Sequence, residues 1–580
     1  MDNSHYSAER SVQLLISLLK QHNIKKVVAS PGATNITFVA SIQHDPFFEI
    51  YSSVDERSAA YIACGLAAES NEAVVLSCTG ATASRNYIPG LTEAFYRKLP
   101  VLAVTSTQDI SRVGQMIPQV IDRSFIQKDI ALCSVHIPLT IDENSEWSNT
   151  IKLNRAILEL RHRGGGPAHI NLTTSYCRDF SVKEFPQARM ISRVCKESEF
   201  PQIPKGRIAI FIGSHVKFQE EEIDAIDHFC SSYNAVVFCD HTSGYKGKYK
   251  VLISLLASQD RYVCEECRMD LLIHIGEISG SYIGLSPRCV WRVSPDGEIR
   301  DYYKKLTCVF EMSELSFFKY YASLESAQAE DYLNECLGKL QECRNKISDN
   351  IPFSNVWIAQ QTAPHLPSKS VLHLGILNTL RAWNLFEIPD DILVYSNTGG
   401  FGIDGCISSL VGASLANPDK LYFAVVGDLS FFYDMNVIGN RHVGNNVRLL
   451  LINNGKGTEF RNYKHDGAIF GEETDKYIAA AGHFGNKSIK LVKHYAEDLG
   501  YEYLSAMSKD EYLRALDRFV NPEITERPII FEAFTNSEDE SNALKLMYNI
   551  IQDSNIVFKQ KIKSALGEKG TNIVRKVLKK

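Results

Sequence analysis

This chain has no apolar run approaching the roughly 20 residues that a membrane-crossing helix needs, which excludes a helical transmembrane protein. Its amino terminus, MDNSHYSAERS, lacks the charged-then-apolar layout of a secretory signal, so the expected location is the cytoplasm. It has little excess charge: 62 Lys and Arg against 68 Asp and Glu leave −6, which argues against nucleic acid as a main partner. Cysteine is present, but not in the pattern of a metal site. Most of the 14 cysteines stand alone inside apolar runs, as Cys64, Cys78 and Cys239 do, which fits reduced core thiols. The one Cys-x-x-Cys, Cys264 to Cys267, has no second pair to complete a zinc site. No short internal repeat is visible.

What is present is an ordinary globular composition, 44% hydrophobic and 22% charged, in 580 residues. That length exceeds one core and predicts about three domains. The most informative stretch runs from Ala424 to Phe460. A short, unalternating apolar run ends in Gly427-Asp428, and a second, Val447 to Ile452, ends in Asn453-Asn454. Such runs read as buried parallel strands, and α/β sheets bind ligands at the carboxyl ends of their strands. Asp428, Asn454 and a nearby carbonyl would suit Mg²⁺, which takes oxygen ligands and completes its shell with phosphate and water. The same residues also read as a strand-end Asp and an Asn-Asn-Gly turn.

Toward the amino terminus, strands at Val27 to Ser30, Ala73 to Ser77 and Pro100 to Ser106 alternate with helical stretches, which predicts a doubly wound domain. Between them stand Pro31-Gly32-Ala33-Thr34-Asn35, Asp55-Glu56-Arg57-Ser58-Ala59-Ala60 and Thr79-Gly80-Ala81-Thr82. Glu56, before a small-residue helix, reads as a helix-start carboxylate favoured by the macrodipole or as a catalytic acid. A middle region repeats strand-like runs at Arg207–Ile212, Ala235–Cys239, Leu271–Ile275, Val290–Val293 and Thr307–Phe310. Its first strand ends in Gly213-Ser214 with no Gly-x-Gly-x-x-Gly following, so no FAD or NAD is inferred there. Lys559 to Lys580 carries seven Lys and one Arg against one Glu, interspersed with Ile, Val and Leu. It reads as a solvated tail, or as a helix for a membrane surface or a partner.

Taken together, these motifs resemble the thiamine diphosphate enzymes, over about the first 180 residues and residues 350–540. Within that family they look most like the menaquinone-pathway branch, which makes 2-succinyl-5-enolpyruvyl-6-hydroxy-3-cyclohexene-1-carboxylate. The resemblance implies three Rossmann-like α/β domains: a pyrimidine domain (1–185), a central domain (186–347) and a diphosphate domain (348–545), followed by the basic tail (546–580). It implies thiamine diphosphate and Mg²⁺ as cofactors, and a homodimer or homotetramer. The cofactor would bridge the first domain of one subunit and the third of another. Glu56 takes the position of the glutamate that hydrogen-bonds the aminopyrimidine ring and promotes deprotonation at thiazolium C2. Pro31, Gly32, Thr79, Gly80 and Thr82 fall at cofactor-binding positions of the first domain. Ser396, Asn397, Thr398, Gly402, Ile403, Gly427, Asp428, Leu429, Ser430, Asn454 and Gly457 do so in the third. Asp428, Asn454 and Lys456 fall at metal positions. Ile403, or else Phe401, aligns with the bulky residue that bends the cofactor; a core aliphatic in a glycine-rich loop is the plain reading. Gln119 falls where the family places an active-site glutamine, or caps the next helix.

The implied reaction is decarboxylation of a 2-oxo acid and transfer of the acyl-carbanion equivalent to an acceptor. Alternatives are a simple decarboxylase that releases an aldehyde, the menaquinone-pathway synthase itself, and an inactive assembly homologue. The absence of a His-His pair of the kind simple decarboxylases use favours transfer. The branch grips its acidic substrates with Arg forks, but this chain has Thr34-Asn35, Thr398, Leu415 and Ser106-Thr107-Gln108 where basic residues are expected. The expectation is therefore that it does not make the menaquinone precursor. New polar residues follow the metal motif: Lys456, Thr458, Glu459, Arg461, Asn462, Tyr463, Lys464 and His465. They suit a polar, sugar-like acceptor, with Thr34, Asn35, Glu459 and Arg461 as substrate candidates, or form a mobile solvated loop.

Overall fold

The structure is a computed structural model that describes residues 5–123, 126–196, 199–281, 283–325, 330–483 and 488–553. The basic tail from Lys559 lies outside the described residues. The chain forms two compact units, Met1–Phe200 with Asp296–Glu311, and Pro201–Pro295 with Met312–Lys580.

The first unit holds a six-stranded parallel sheet: β1 (Lys26–Ala29), β2 (Glu49–Ser52), β3 (Val74–Thr79), β4 (Val101–Thr107), β5 (Cys133–Ile137) and β6 (Ala168–Thr173), ordered β2-β1-β3-β4-β6-β5. β4 and β6 are buried throughout, as strands covered on both faces are. The helix Arg10–Gln21 closes one face with Val12, Leu15, Ile16 and Leu19. The helix Glu56–Ser70 lies on the other with Ala59, Ala60, Ala63 and Ala67, small enough to pack close to Gly90 of the neighbouring helix. β7 (Ser192–Val194) pairs in parallel with β13 (Leu306–Phe310) in the same unit.

In the second unit, β8 (Ile208–Ile212), β9 (Val236–Cys239), β10 (Lys250–Leu252), β11 (Arg268–Ile275) and β12 (Ser286–Val293) run in the order β10-β9-β8-β11-β12. The order reverses between β8 and β11, where doubly wound sheets take ligands. Here Gly213 amide donates to the Ile275 carbonyl and Glu277 amide to the Ser214 carbonyl, stitching the two strand ends together. The helix that follows, Glu220–Tyr233, opens with Glu220, Glu221 and Glu222. Three carboxylates at a helix N-terminus oppose a diphosphate there. Cys264 and Cys267 are joined as a disulfide. Among the described residues no group of three or more His, Cys, Asp or Glu could hold a metal ion.

The same unit carries β14 (Val371–Leu374), β15 (Leu393–Tyr395), β16 (Tyr422–Gly427), β17 (Val447–Asn453), β18 (Glu502–Ala506) and β19 (Ile529–Phe534), ordered β15-β14-β16-β17-β19-β18. Counted within its own sheet, this order repeats that of the first sheet, so the two outer regions share a topology. The protein is thus built on three parallel α/β sheets. Within the described residues no helix is long and apolar enough to cross a membrane.

Candidate functional site

β16 and β17 are adjacent and in register, with Gly427 opposite Ile452, so the residues after them emerge side by side. Asp428 opens the helix Asp428–Asp434 and is only 4% exposed. Its Oδ1 accepts from the Leu429 amide at 2.9 Å and its Oδ2 from the Gly455 amide at 2.6 Å. Gly455 stands at φ +78°, a conformation that favours glycine and lets the turn after β17 aim that amide back at the carboxylate. Burial outweighs these hydrogen bonds and pushes the Asp428 carboxyl up to about 7. Its hydrogen bonds come from backbone amides rather than from cationic side chains. Asn454 Oδ1 accepts from Thr458 Oγ1 at 2.6 Å, which leaves its second lone pair unspent.

A buried, desolvated carboxylate next to a carboxamide oxygen fits one cation that draws its other ligands from a diphosphate and water. Asp428, Asn454 and a carbonyl of the turn would hold it. The side chain of Lys456, named with them from sequence, turns instead to Asp475, at 2.6 Å.

Several predicted residues cluster round this point. Ser430 Oγ donates to the Ile403 carbonyl at 2.6 Å, tying the helix behind Asp428 to the glycine-rich loop. Phe401 in that loop has φ +55° and is partly exposed. A Cβ on Gly457 would stand 3.3 Å from Leu429 Cδ1 and 3.2 Å from Phe460 Cδ2, so the turn packs directly on the helix. Asn397 Oδ1 accepts from Ser409 Oγ at 3.0 Å, and Thr398 Oγ1 donates to Ser214 Oγ at 3.0 Å. Ser396 is half-buried, with its hydroxyl unpartnered. Gly402 lies beside Asp404.

The polar residues after the turn are engaged within the protein. Glu459 pairs with Arg381, both nearly buried. Arg461 pairs with Asp475 at 3.2 Å and bonds the Gly471 carbonyl. Tyr463 donates to Asp260 at 2.6 Å, and Lys464 pairs with the same carboxylate. This bonding describes a braced turn rather than a mobile loop, and it occupies the charged groups of Glu459 and Arg461 that were read as substrate contacts.

In the first unit, Glu56 begins the helix Glu56–Ser70. Asp55 caps it, accepting from the Ser58 amide at 3.1 Å. The helix-start and the catalytic readings of Glu56 both remain compatible with that place. Thr34 is buried and shares a hydrogen bond with Thr79 Oγ1 at 2.5 Å, and donates to the Ser106 carbonyl at 2.8 Å. Asn35 is also buried; it donates to the Ser30 carbonyl and accepts from Ser77. Both fasten strand ends together, so their polar atoms are used inside the fold. Gly32 packs on Thr79, where a Cβ would come within 2.8 Å of the threonine Cβ. Pro31 and Thr82 are exposed. Gln119 is exposed in a turn at φ +65°, and the next helix, Glu143–Glu159, is capped by Asp142. The capping alternative for Gln119 is therefore removed.

Two residues near these motifs escaped the sequence reading. Arg123 is buried and bonds the Gly80 carbonyl and Asn171 Oδ1; burial lowers its pKa to about 10. A Cβ on Gly80 would stand 2.5 Å from its Nη1 and 2.7 Å from the Ser106 carbonyl, so only glycine fits. Glu540 is buried below the second unit's strand ends, accepting from the Asn355 amide at 3.0 Å and from Thr535 Oγ1 at 2.7 Å. Burial, with contributions from the charges of Asp539 and then Asp428, pushes its carboxyl up to about 7. Neither residue sits in a motif, and each has a charged sequence neighbour, Asp122 before Arg123 and Asp539 before Glu540, so nothing local marked it as buried.

Comparison with known proteins agrees with this arrangement. Residues 10–129 match the thiamine pyrophosphate enzyme, N-terminal TPP binding domain. The chain is 28% identical over 566 residues to the 2-succinyl-5-enolpyruvyl-6-hydroxy-3-cyclohexene-1-carboxylate synthase of Bacteroides fragilis, covering 94% of this chain and 100% of that one. It is 29% identical over 568 residues to the enzyme of the same name from Bacteroides thetaiotaomicron, covering 94% and 99%. A solved structure, the thiamine diphosphate-dependent 4-hydroxybenzoylformate decarboxylase of Rhodococcus jostii RHA1, is 16% identical with a TM-score of 0.41, covering 91% of this chain and 99% of that one. The chain is thus similar to thiamine diphosphate-dependent enzymes, through its amino-terminal binding domain and along nearly its whole length.

Proposed function

We propose that this enzyme uses thiamine diphosphate and Mg²⁺ to decarboxylate a 2-oxo acid and transfer the remaining acyl-carbanion equivalent to an acceptor. The observation that carries this is Asp428: a carboxylate buried at paired strand ends, held by two backbone amides, beside the free lone pair of Asn454. Thiamine diphosphate, when bound, supplies the electron sink that lets CO₂ leave. The chain's part is to anchor the diphosphate through the cation at Asp428 and Asn454, and to bring Ile403 against the cofactor. Glu56 would hold the aminopyrimidine ring of the cofactor by a hydrogen bond to its nitrogen and serve as the proton donor and acceptor there. Gln119, exposed beside its turn, polarises the bound donor. The neighbouring turn keeps water out through its internal ion pairs, Glu459 with Arg381 and Lys456 with Asp475.

The positions where guanidinium forks would grip a second carboxylate hold Thr34 and Thr398, both buried and hydrogen-bonded, and the exposed Leu415. A buried carboxylate without a cationic partner loses several kcal/mol of hydration with little return. This favours a donor with one carboxylate, such as pyruvate, and a polar acceptor. A second reading, that the chain is itself a 2-succinyl-5-enolpyruvyl-6-hydroxy-3-cyclohexene-1-carboxylate synthase, is favoured by the whole-length likeness to the Bacteroides enzymes. Assay of the two donor–acceptor sets side by side separates them. Turnover of pyruvate with little product from 2-oxoglutarate and isochorismate supports the first reading, and efficient product from the latter pair establishes the second.

We further propose a cytoplasmic homodimer or homotetramer. Val54 is 79% exposed just before the helix Glu56–Ser70, and Tyr61 and Ile62 are exposed on that helix, an apolar surface that a second copy would cover. A monomer with full activity in light scattering would contradict it.

A further inference from the structure

The second unit contains a cavity of about 780 Å³ that neither Asp428 nor Asn454 lines. Its walls come from the segment after β10 and from the end of the helix Ser537–Met547, with Arg381 and Tyr463 from the regions between. The segment after β10 is fixed in place. Gln259 donates to the Met547 carbonyl at 2.8 Å and accepts from the Ile550 amide at 2.9 Å, and the Asp260 amide donates to the Tyr548 carbonyl at 2.7 Å. This is a built wall rather than a surface dent.

Four cations line the cavity, Arg261, Arg381, Lys464 and Lys545, against one carboxylate, Asp260. Arg381 is neutralised by Glu459, and Lys464 by Asp260. The other two are not neutralised. Arg261 lies opposite Gln552 in a parallel bridge and its carbonyl accepts from the Asp553 amide, and the Lys545 carbonyl accepts from Asn549. Neither side chain meets a carboxylate among the described residues. Two uncompensated positive charges, Arg261 half-buried and Lys545 exposed at the rim, therefore border one solvent-open cavity, the electrostatic complement of a dianion.

A second, independent feature points the same way. Ser254 lines this cavity, is 5% exposed, and its hydroxyl has no hydrogen-bond partner. A buried hydroxyl left unpaired is destabilising, and an acceptor oxygen within the cavity would remove that cost. Ser281 accepts from Asn384 at 2.5 Å, so its own hydrogen stays available to the same space. Two cations and two hydroxyl donors suit a phosphoryl group, which presents three acceptor oxygens and close to two charges. The rest of the lining carries no spare charge. The rings of Tyr463 and Tyr548, with Lys464 over the second at 4.9 Å, suit a neutral hydroxylated body.

We propose that this cavity binds a small phosphomonoester with a polar, sugar-like body, gripped by Arg261, Lys545 and the Ser254 hydroxyl. The test is calorimetric titration of the full chain, with thiamine diphosphate and Mg²⁺ saturating so that the diphosphate site is filled. The probes are glucose 6-phosphate, inorganic phosphate and glucose. The expected result is one glucose 6-phosphate per chain, displaced by inorganic phosphate, with no heat from glucose. The double variant Arg261→Gln, Lys545→Gln should bind it at least tenfold more weakly, and Ser254→Ala should weaken it as well. Neither cation has a carboxylate partner to lose, so the ligand-free melting temperature of the double variant should match the parent. Absence of heat from both phosphate probes, or binding unchanged in the double variant, would overturn the assignment.

Discussion

Glu540 provides a test that ties the energetics of the second unit to its candidate site. Its carboxyl is pushed from an ordinary 4.5 up to about 7, first by burial and then in part by the charges of Asp539 and Asp428. The folded protein therefore holds this proton more tightly than the unfolded chain does. The sign follows from linkage: the contribution to stability is whole below about pH 4.5 and is lost as pH rises through 7, where both states are ionised. At about 1.4 kcal/mol per pH step, a rise from pH 5 to pH 8 removes on the order of 3 kcal/mol. Glu540→Gln abolishes this titration. The glutamine keeps one oxygen to accept from the Asn355 amide and Thr535, the two partners of Oε1. Urea unfolding in EDTA, followed by tryptophan fluorescence at pH 5 and pH 8, should show the parent losing stability between the two pH values and the variant losing less. The difference should be on the order of 3 kcal/mol. Mg²⁺ with thiamine diphosphate should lessen the parent's dependence only slightly, because a cation at Asp428 offsets the smaller of two charges that add to burial in raising Glu540. Parallel pH dependences for parent and variant without metal would refute the reasoning.

Other outcomes follow from the same geometry. Asp428→Ala should abolish metal-dependent thiamine diphosphate binding in calorimetry, since the diphosphate loses its bridging cation; unchanged affinity with Mg²⁺ present would put the cation elsewhere. Glu56→Gln should leave the melting temperature and cofactor affinity near those of the parent while lowering turnover by roughly 10²–10⁴-fold, the scale of a lost proton transfer. Gly80→Ala should destabilise the first unit by about 1–3 kcal/mol, because its Cβ meets the Arg123 guanidinium and the Ser106 carbonyl at 2.5 and 2.7 Å; an unchanged melting temperature would show that both can move aside.

The sequence was legible where local pattern and position coincide. Unbroken apolar runs marked β16 and β17, and the residue types just past them located Asp428 and Asn454 before any coordinate was needed. The segments β5 and β6 were not read as strands, because each places a histidine, His136 or His169, among its apolar residues. In the fold, His169 is paid no charge: burial lowers its pKa to about 3, and Thr105 and Ser134 satisfy its two nitrogens at 2.8 Å each. Neither partner is a sequence neighbour. The bracing of the turn after Asn454, read from sequence either as an acceptor surface or as a mobile loop, was hidden for the same reason. Glu459 and Arg381 lie 78 positions apart and Tyr463 and Asp260 lie 203 apart, so nothing local announces that these charges are matched.

The most direct test of the central claim is CO₂ release by the purified full-length chain from pyruvate, 2-oxoglutarate and phosphonopyruvate, with and without thiamine diphosphate and Mg²⁺. The account predicts release from at least one donor that depends on both cofactors, rises when a suitable acceptor is added, and falls by roughly 10²–10⁴-fold in Glu56→Gln. Release that persists without thiamine diphosphate, or that is undiminished in Glu56→Gln, would contradict it.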